Sequence, residues 1–100
     1  MESNYNNIDL NKALEKINTN QEKTWLIKEN KLFISLRFSG FEQAIEFMNQ
    51  VAKECTALNH HPDWCNSYNK LDIFITTHEA GKLTERDFVL ADKINNIINR

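Results

Sequence analysis

Glycine occurs twice and proline once in 100 residues. Few positions therefore interrupt regular structure, and no glycine-rich loop is present to cradle a nucleotide phosphate. The two cysteines, Cys55 and Cys65, stand outside any CxxC arrangement and read as two free thiols of a reducing compartment rather than as a disulfide framework. No apolar run approaches the length of a membrane span. Residues 1–9 are polar and lack a basic-then-apolar leader pattern. The expected location is cytoplasmic, with no membrane partner. No basic run occurs, and 12 Lys and Arg against 14 Asp and Glu leave a formal charge of −2, which disfavours direct nucleic-acid or anionic-membrane binding.

What is present is ordinary for one folded unit: 41% hydrophobic and 26% charged residues. Residues 1–7 are Asn-rich and polar and read as a flexible N-terminal end, with a single domain over 8–100. A chain of this size buries about two thirds of the surface its unfolded form exposes. That supports one modest core and no large internal cavity, so a site is expected in a surface cleft or at a subunit boundary.

Hydrophobic spacing gives the element order. Leu10, Ala13, Leu14 and Ile17 recur at helical intervals over 8–17, with Asn7 or Asp9 as cap. Residues 24–28 and 31–38 alternate around Glu29-Asn30 and read as a hairpin. Phe41, Ala44, Ile45, Met48, Ala52 and Cys55 mark a long helix to about Leu58, ended by Asn59 to Pro62. A second hairpin follows, residues 64–68 and 71–77 around Asn69-Lys70. Phe33 and Phe74 face away from the core side, and apolar residues on an outer sheet face hint at subunit contact. Thr84 reads as the N-cap of a last helix, with Asp87 three residues on and Leu83 and Phe88 as a hydrophobic staple. The fold class is α+β: one four-stranded antiparallel sheet with helices packed on one face, in the order α-β-β-α-β-β-α.

The residues that could carry chemistry are few. The chain has three histidines, His60, His61 and His78. Imidazole titrates near neutrality, so one can donate a proton while another accepts one at the same pH. Adjacent histidines diverge and make a poor metal pair, and no HExxH or cysteine pair assists them. Cys55 falls on an apolar helix stripe and reads as core packing. Nothing around Cys65 argues for an activated thiolate.

The stretch Asn59-His60-His61-Pro62-Asp63-Trp64, then Asn66, Tyr68-Asn69-Lys70, Thr76-Thr77-His78-Glu79, Gly81 and Leu83-Thr84-Glu85-Arg86-Asp87, resembles the pterin-4a-carbinolamine dehydratases. The detailed match covers about residues 54–95, and the element order is that of the family. The resemblance implies dehydration of 4a-hydroxytetrahydrobiopterin to quinonoid dihydropterin by histidine acid/base chemistry, in tetrahydrobiopterin recycling, with no metal and no organic cofactor. It implies His60, His61 and His78 as catalytic residues. It places Asn59, Thr76, Thr77 and Glu79 beside those histidines around a small-molecule pterin substrate, and a homodimer or homotetramer as the assembled state. His61 is expected to be the main acid/base group.

Two further readings are a dimerisation or transcription-coactivator module, a role some relatives also have, and a relative without turnover. The latter is prompted by Thr56, which stands where family members often carry an acid. Glu54 is about 200° away around a helix, so a carboxylate that orients His60 must come from elsewhere or is missing. Asp87 matches the family's final Asp and also stands third in the capping box; the cap is its favoured role, and one residue can do both.

Overall fold

The structure, a computed structural model, describes residues 8–100; the expected loose end at 1–7 lies outside them. The chain runs α1 (Leu10–Asn18), β1 (Leu26–Lys28), β2 (Lys31–Arg37), α2 (Phe41–Leu58), β3 (Asp63–Ser67), β4 (Lys70–Ile75), a 3-10 turn (His78–Ala80) and α3 (Glu85–Ile98). The strands form one sheet in the order β1-β2-β4-β3, antiparallel throughout. The α+β architecture and the α-β-β-α-β-β-α order are those expected.

Side-chain alternation explains the layering. Leu32, Ile34 and Leu36 of β2 and Leu71, Ile73 and Ile75 of β4 are buried, and they join Ile17, Phe47, Val51, Ile94 and Ile97 from the helices in one core. Asp9 caps α1 by accepting from the Lys12 N–H at 3.1 Å. Glu29 and Asn30 both take positive φ, 51° and 62°, the backbone that a tight two-residue hairpin requires. In the second hairpin the turn is Tyr68-Asn69, one residue earlier than the spacing suggests. Tyr68 takes φ 52°, and the Asn66 side chain holds the turn by donating to the carbonyls of Tyr68 and Lys70.

Three other details depart from the sequence reading. The core stripe of α2 is Ala44, Phe47, Val51 and Cys55; Phe41 and Ala52 are exposed, and Ile45 and Met48 are half-buried. The apolar arc is continuous: Met48 packs against the core, and Phe41, Ile45 and Ala52 lie along its more exposed edge. Strand β4 stops at Ile75, not Thr77, because the Thr76 hydroxyl turns to the Asn30 carbonyl (3.3 Å) and the chain closes a 3-10 turn, Ala80 N–H to the Thr77 carbonyl at 3.0 Å. Phe33 and Phe74 do sit on the uncovered sheet face, but they are half-buried on each other with ring centroids 4.8 Å apart.

A polar clamp fixes the approach to β1. Trp25 is fully buried, and its indole N–H donates to Asn95 Oδ1 at 2.9 Å. The Asn95 amide donates to the Ile17 carbonyl at 2.7 Å. Asn18 bonds the Trp25 backbone N–H and carbonyl at 2.7 and 2.9 Å. One buried asparagine thereby ties α1, the β1 lead and α3 together.

Replacing Asn95 with Ala leaves an indole N–H and a carbonyl buried and unpaired, a cost of about 2–4 kcal/mol. Thermal melting should show a midpoint roughly 10–20 °C lower; a change of a degree or two would contradict the clamp. Cys55 is buried in the core while Cys65 is exposed, and burial, then the nearby Glu54 charge, pushes the Cys55 thiol up. A thiol-alkylating reagent at neutral pH should label one cysteine in the native protein and two after denaturation. Rapid double labelling of the native state would contradict this placement.

Candidate active site

The site begins where α2 ends. Asn59 adopts the left-handed conformation, φ 53°. Its N–H bonds the Thr56 carbonyl at 3.3 Å and the His60 N–H bonds the Cys55 carbonyl at 3.1 Å. This is the helix-terminating pattern in which a left-handed residue, here Asn rather than Gly, satisfies the last carbonyls. Its consequence is directional: the backbone reverses at Asn59 and His60 turns inward, 6% exposed.

There His60 meets Asp87, Nε2 to Oδ1 at 2.7 Å. Asp87 is fully buried, and both contacts of its Oδ2 are hydrogen bonds that it accepts. Oδ2 takes the Thr84 backbone N–H at 2.8 Å and the Thr77 hydroxyl at 2.9 Å. The Thr77 oxygen lies 2.7 Å from the Thr84 hydroxyl, whose proton is the one free to bridge them. An ionised carboxylate has no proton to give, so His60 presents Nε2–H to Asp87 and keeps Nδ1 as its free nitrogen. Thr84 and Asp87 also complete the capping box of α3, so the cap and the support of His60 are one carboxylate. Thr56 is not involved: its hydroxyl back-bonds the Ala52 carbonyl at 3.1 Å.

His78 opens the 3-10 turn, closed by Gly81 at φ 67°. Its ring lies over the start of β3, Nε2 to Asp63 Oδ2 at 3.2 Å. Next to it, Glu79 pairs with Arg86, Oε2 to Nη1 at 2.9 Å. The other end of the same guanidinium donates to the Asn59 carbonyl at 2.8 Å. Arg86 therefore ties the turn after α2 to the turn after β4. His61 is exposed, and no hydrogen bond to another described residue holds its ring.

Of the residues singled out in the sequence, Asn59, His60, Thr77, Glu79 and Asp87 are brought into one connected set, with His78 adjoining through Thr77 and Glu79. Thr76 is directed to the β1–β2 turn instead. Thr77 is fully buried, with its hydroxyl engaged by Asp87 and Thr84. The sequence reading passed over Asp63 and Arg86. Their signal was their position inside the quoted motifs; spacing alone could not show which loops they join.

A small cleft of about 150 Å³, lined by Leu58, His60, Glu85, Arg86 and Val89, opens beside the buried histidine. It is below the usual 300–1,000 Å³ of a small-molecule pocket. The larger cavity, about 490 Å³ between β2, α2 and the end of α3, contains no histidine. Among the described residues no cluster of three or more His, Cys, Asp or Glu side chains is arranged to hold a metal ion, and no helix is long and apolar enough to cross a membrane. The turns after α2 and β4 thus carry one imidazole held by a buried carboxylate, one beside an exposed carboxylate, and one exposed imidazole.

The chain is similar in sequence to proteins that carry names. A protein of Nostoc punctiforme, provisionally named a pterin-4-alpha-carbinolamine dehydratase, is 47% identical over 73% of this chain and 78% of its own length. A protein of Sulfurisphaera tokodaii with the same provisional name is 39% identical over 79% of this chain and 85% of its own. The crystal structure of a transcriptional coactivator/pterin dehydratase from Brucella melitensis superposes with a TM-score of 0.79 at 33% identity, covering 88% of this chain and 90% of that one. Residues 5–97 match the family described as pterin 4 alpha carbinolamine dehydratase, and to that family the chain belongs.

Proposed function

We propose that the protein dehydrates 4a-hydroxytetrahydrobiopterin to quinonoid dihydropterin and water, within tetrahydrobiopterin recycling, by histidine acid/base catalysis. The observation that carries this reading is the convergence of the two histidine-bearing turns on the buried Asp87. Family membership and the provisional names of the relatives support it.

The chemistry is a paired proton transfer. An acid protonates the hydroxyl on carbon 4a, the carbon–oxygen bond breaks, and the neighbouring ring nitrogen forms the new double bond to that carbon. A base takes the proton that this nitrogen loses. Each assisted transfer contributes about 10²–10⁴-fold. His61 is the main acid/base group, because its exposed ring is free to move between substrate and water. His60 and His78 are its partners, and His60 presents a nitrogen of defined protonation because Asp87 holds the other. Asn59 and Glu79 contribute polar and backbone groups to the amide and amino edge of the pterin, and Thr76 its backbone alone, since its hydroxyl is engaged by the Asn30 carbonyl. Thr77 acts through Asp87, since its hydroxyl is already engaged there. The proposed reaction calls on no metal or organic cofactor.

The working state in this reading is a homodimer or homotetramer in the cytoplasm. The exposed edge of the α2 apolar stripe, with Phe41 48% exposed, supports self-association, and the small cleft beside His60 supports a site completed at a subunit boundary. The two free thiols suit a reducing compartment. The Brucella melitensis protein is described as a coactivator as well as a dehydratase, and the same α2 stripe is the surface a dimerisation module would use.

Following the loss of enzymatically generated 4a-carbinolamine by absorbance tests the reading, with acceleration expected from the native chain. His61→Ala should lose on the order of 10²–10⁴ in kcat, while the exposed Lys93→Ala stays within twofold. No acceleration by the native protein, or equal losses in the two variants, would overturn it. Asp87→Asn keeps the shape but can turn an N–H toward His60, which imposes the wrong ring tautomer. It should reduce kcat at least tenfold and also lower stability by about 1–3 kcal/mol, because part of the buried cap is lost. Wild-type kcat in a destabilised Asp87→Asn protein would mean that Asp87 is only a cap.

A further inference from the structure

The buried His60–Asp87 pair has a counterpart at the surface. His78 Nε2 stands 3.2 Å from Asp63 Oδ2, with the two side chains 67% and 57% exposed. We propose that Asp63 is a positioning residue for His78: its carboxylate holds the ring with Nε2–H directed at itself and leaves Nδ1 as the acceptor nitrogen open to the bound pterin. This rests on the dehydratase reading above and adds a residue to it.

Both ends of the pair are fixed by backbone. Asp63 follows Pro62 and is the first residue of β3, where it pairs with Phe74 of β4. His78 heads a turn closed by Ala80 N–H to the Thr77 carbonyl at 3.0 Å and Gly81 N–H to the His78 carbonyl at 3.1 Å. The neighbouring carboxylate, Glu79, faces Arg86 at 2.9 Å. Asp63 is thus the carboxylate the structure places on His78, and it joins the loop carrying His60 and His61 to the turn carrying His78.

The exposure decides what this pair is for. An ion pair or hydrogen bond with both members more than half in water contributes little to stability, unlike Asp87, whose loss unsettles a buried cap. A carboxylate only accepts, so in contact with neutral His78 it selects the Nε2–H tautomer. A pterin seated against the ring would exclude water and strengthen that preference. An amide in the same place accepts or donates equally well and selects neither.

The test uses Asp63→Asn and Asp63→Glu in the full chain. Nitrogen-15 NMR of the histidine rings, under conditions where His78 is neutral, should show the Nε2–H tautomer dominant in the native protein and in Asp63→Glu. Asp63→Asn should move toward the mixture of a free imidazole. In the carbinolamine assay, Asp63→Asn should lose about tenfold in kcat with KM within twofold, Asp63→Glu should recover to within threefold of native, and the melting midpoint should stay within a degree or two. Identical His78 tautomers in native and Asp63→Asn protein would overturn the proposal whether or not the protein turns over. A tautomer shift in a native protein without turnover would sink the dehydratase reading and leave the positioning contact standing. A tautomer shift with unchanged kcat would show that Asp63 orients the ring without serving the reaction.

Discussion

The buried carboxylate of Asp87 is the constraint on which the candidate site depends. It is wholly removed from water, so its charge is tolerable only because hydrogen bonds meet it from three directions: His60 at 2.7 Å, the Thr84 N–H at 2.8 Å and the Thr77 hydroxyl at 2.9 Å. Those donors lie on three separate stretches of chain, the turn after α2, the exit of β4 and the entrance of α3. Satisfying one charge therefore fixes the relative placement of all three. The negative carboxylate also sits in the first turn of α3, where the helix dipole favours it. Helix cap and histidine support reinforce each other rather than compete.

Around that point the molecule divides its polar work by depth. His60 is enclosed, with one nitrogen assigned. His78 and Asp63 face water, Arg86 staples the two loops over them, and His61 stands free. Proton-transfer chemistry needs both kinds of group: one whose protonation is set by its surroundings and one that exchanges protons with solvent. The hairpins and α3 supply the rigidity. Phe33 and Phe74, the Trp25–Asn95 clamp and the β2–β4 core hold the frame.

Much of this was legible in the residues. Alternation gave both hairpins, and the Thr84–Asp87 spacing gave the cap of α3. The helix-end pattern around Asn59-His60-His61-Pro62 placed the histidines at the end of α2. Local rules failed where a distant partner decided. The α2 stripe was drawn through Phe41, Ala44, Ile45, Met48, Ala52 and Cys55; Ala44 and Cys55 are buried, but the buried arc is centred further toward Phe47 and Val51, because spacing alone cannot fix the centre of a broad apolar arc. The end of β4 was set by Asn30, 46 residues away from Thr76. Thr56 left the orientation of His60 open in the sequence. The answer, Asp87, lies 27 residues on and was visible there mainly as a cap. Asp63 and Arg86 stood in plain view within the motifs, but only the folded loops show what they join.

The central claim is that the site organised by Asp87 is where a pterin binds. A crystal structure of the native protein with a bound reduced pterin or product analogue tests it most directly. The account predicts the pterin ring within hydrogen-bond distance of His61 and His78, beside Glu79, with His60 still on Asp87. A pterin seated instead in the larger cavity between β2, α2 and the end of α3, away from every histidine, would contradict it.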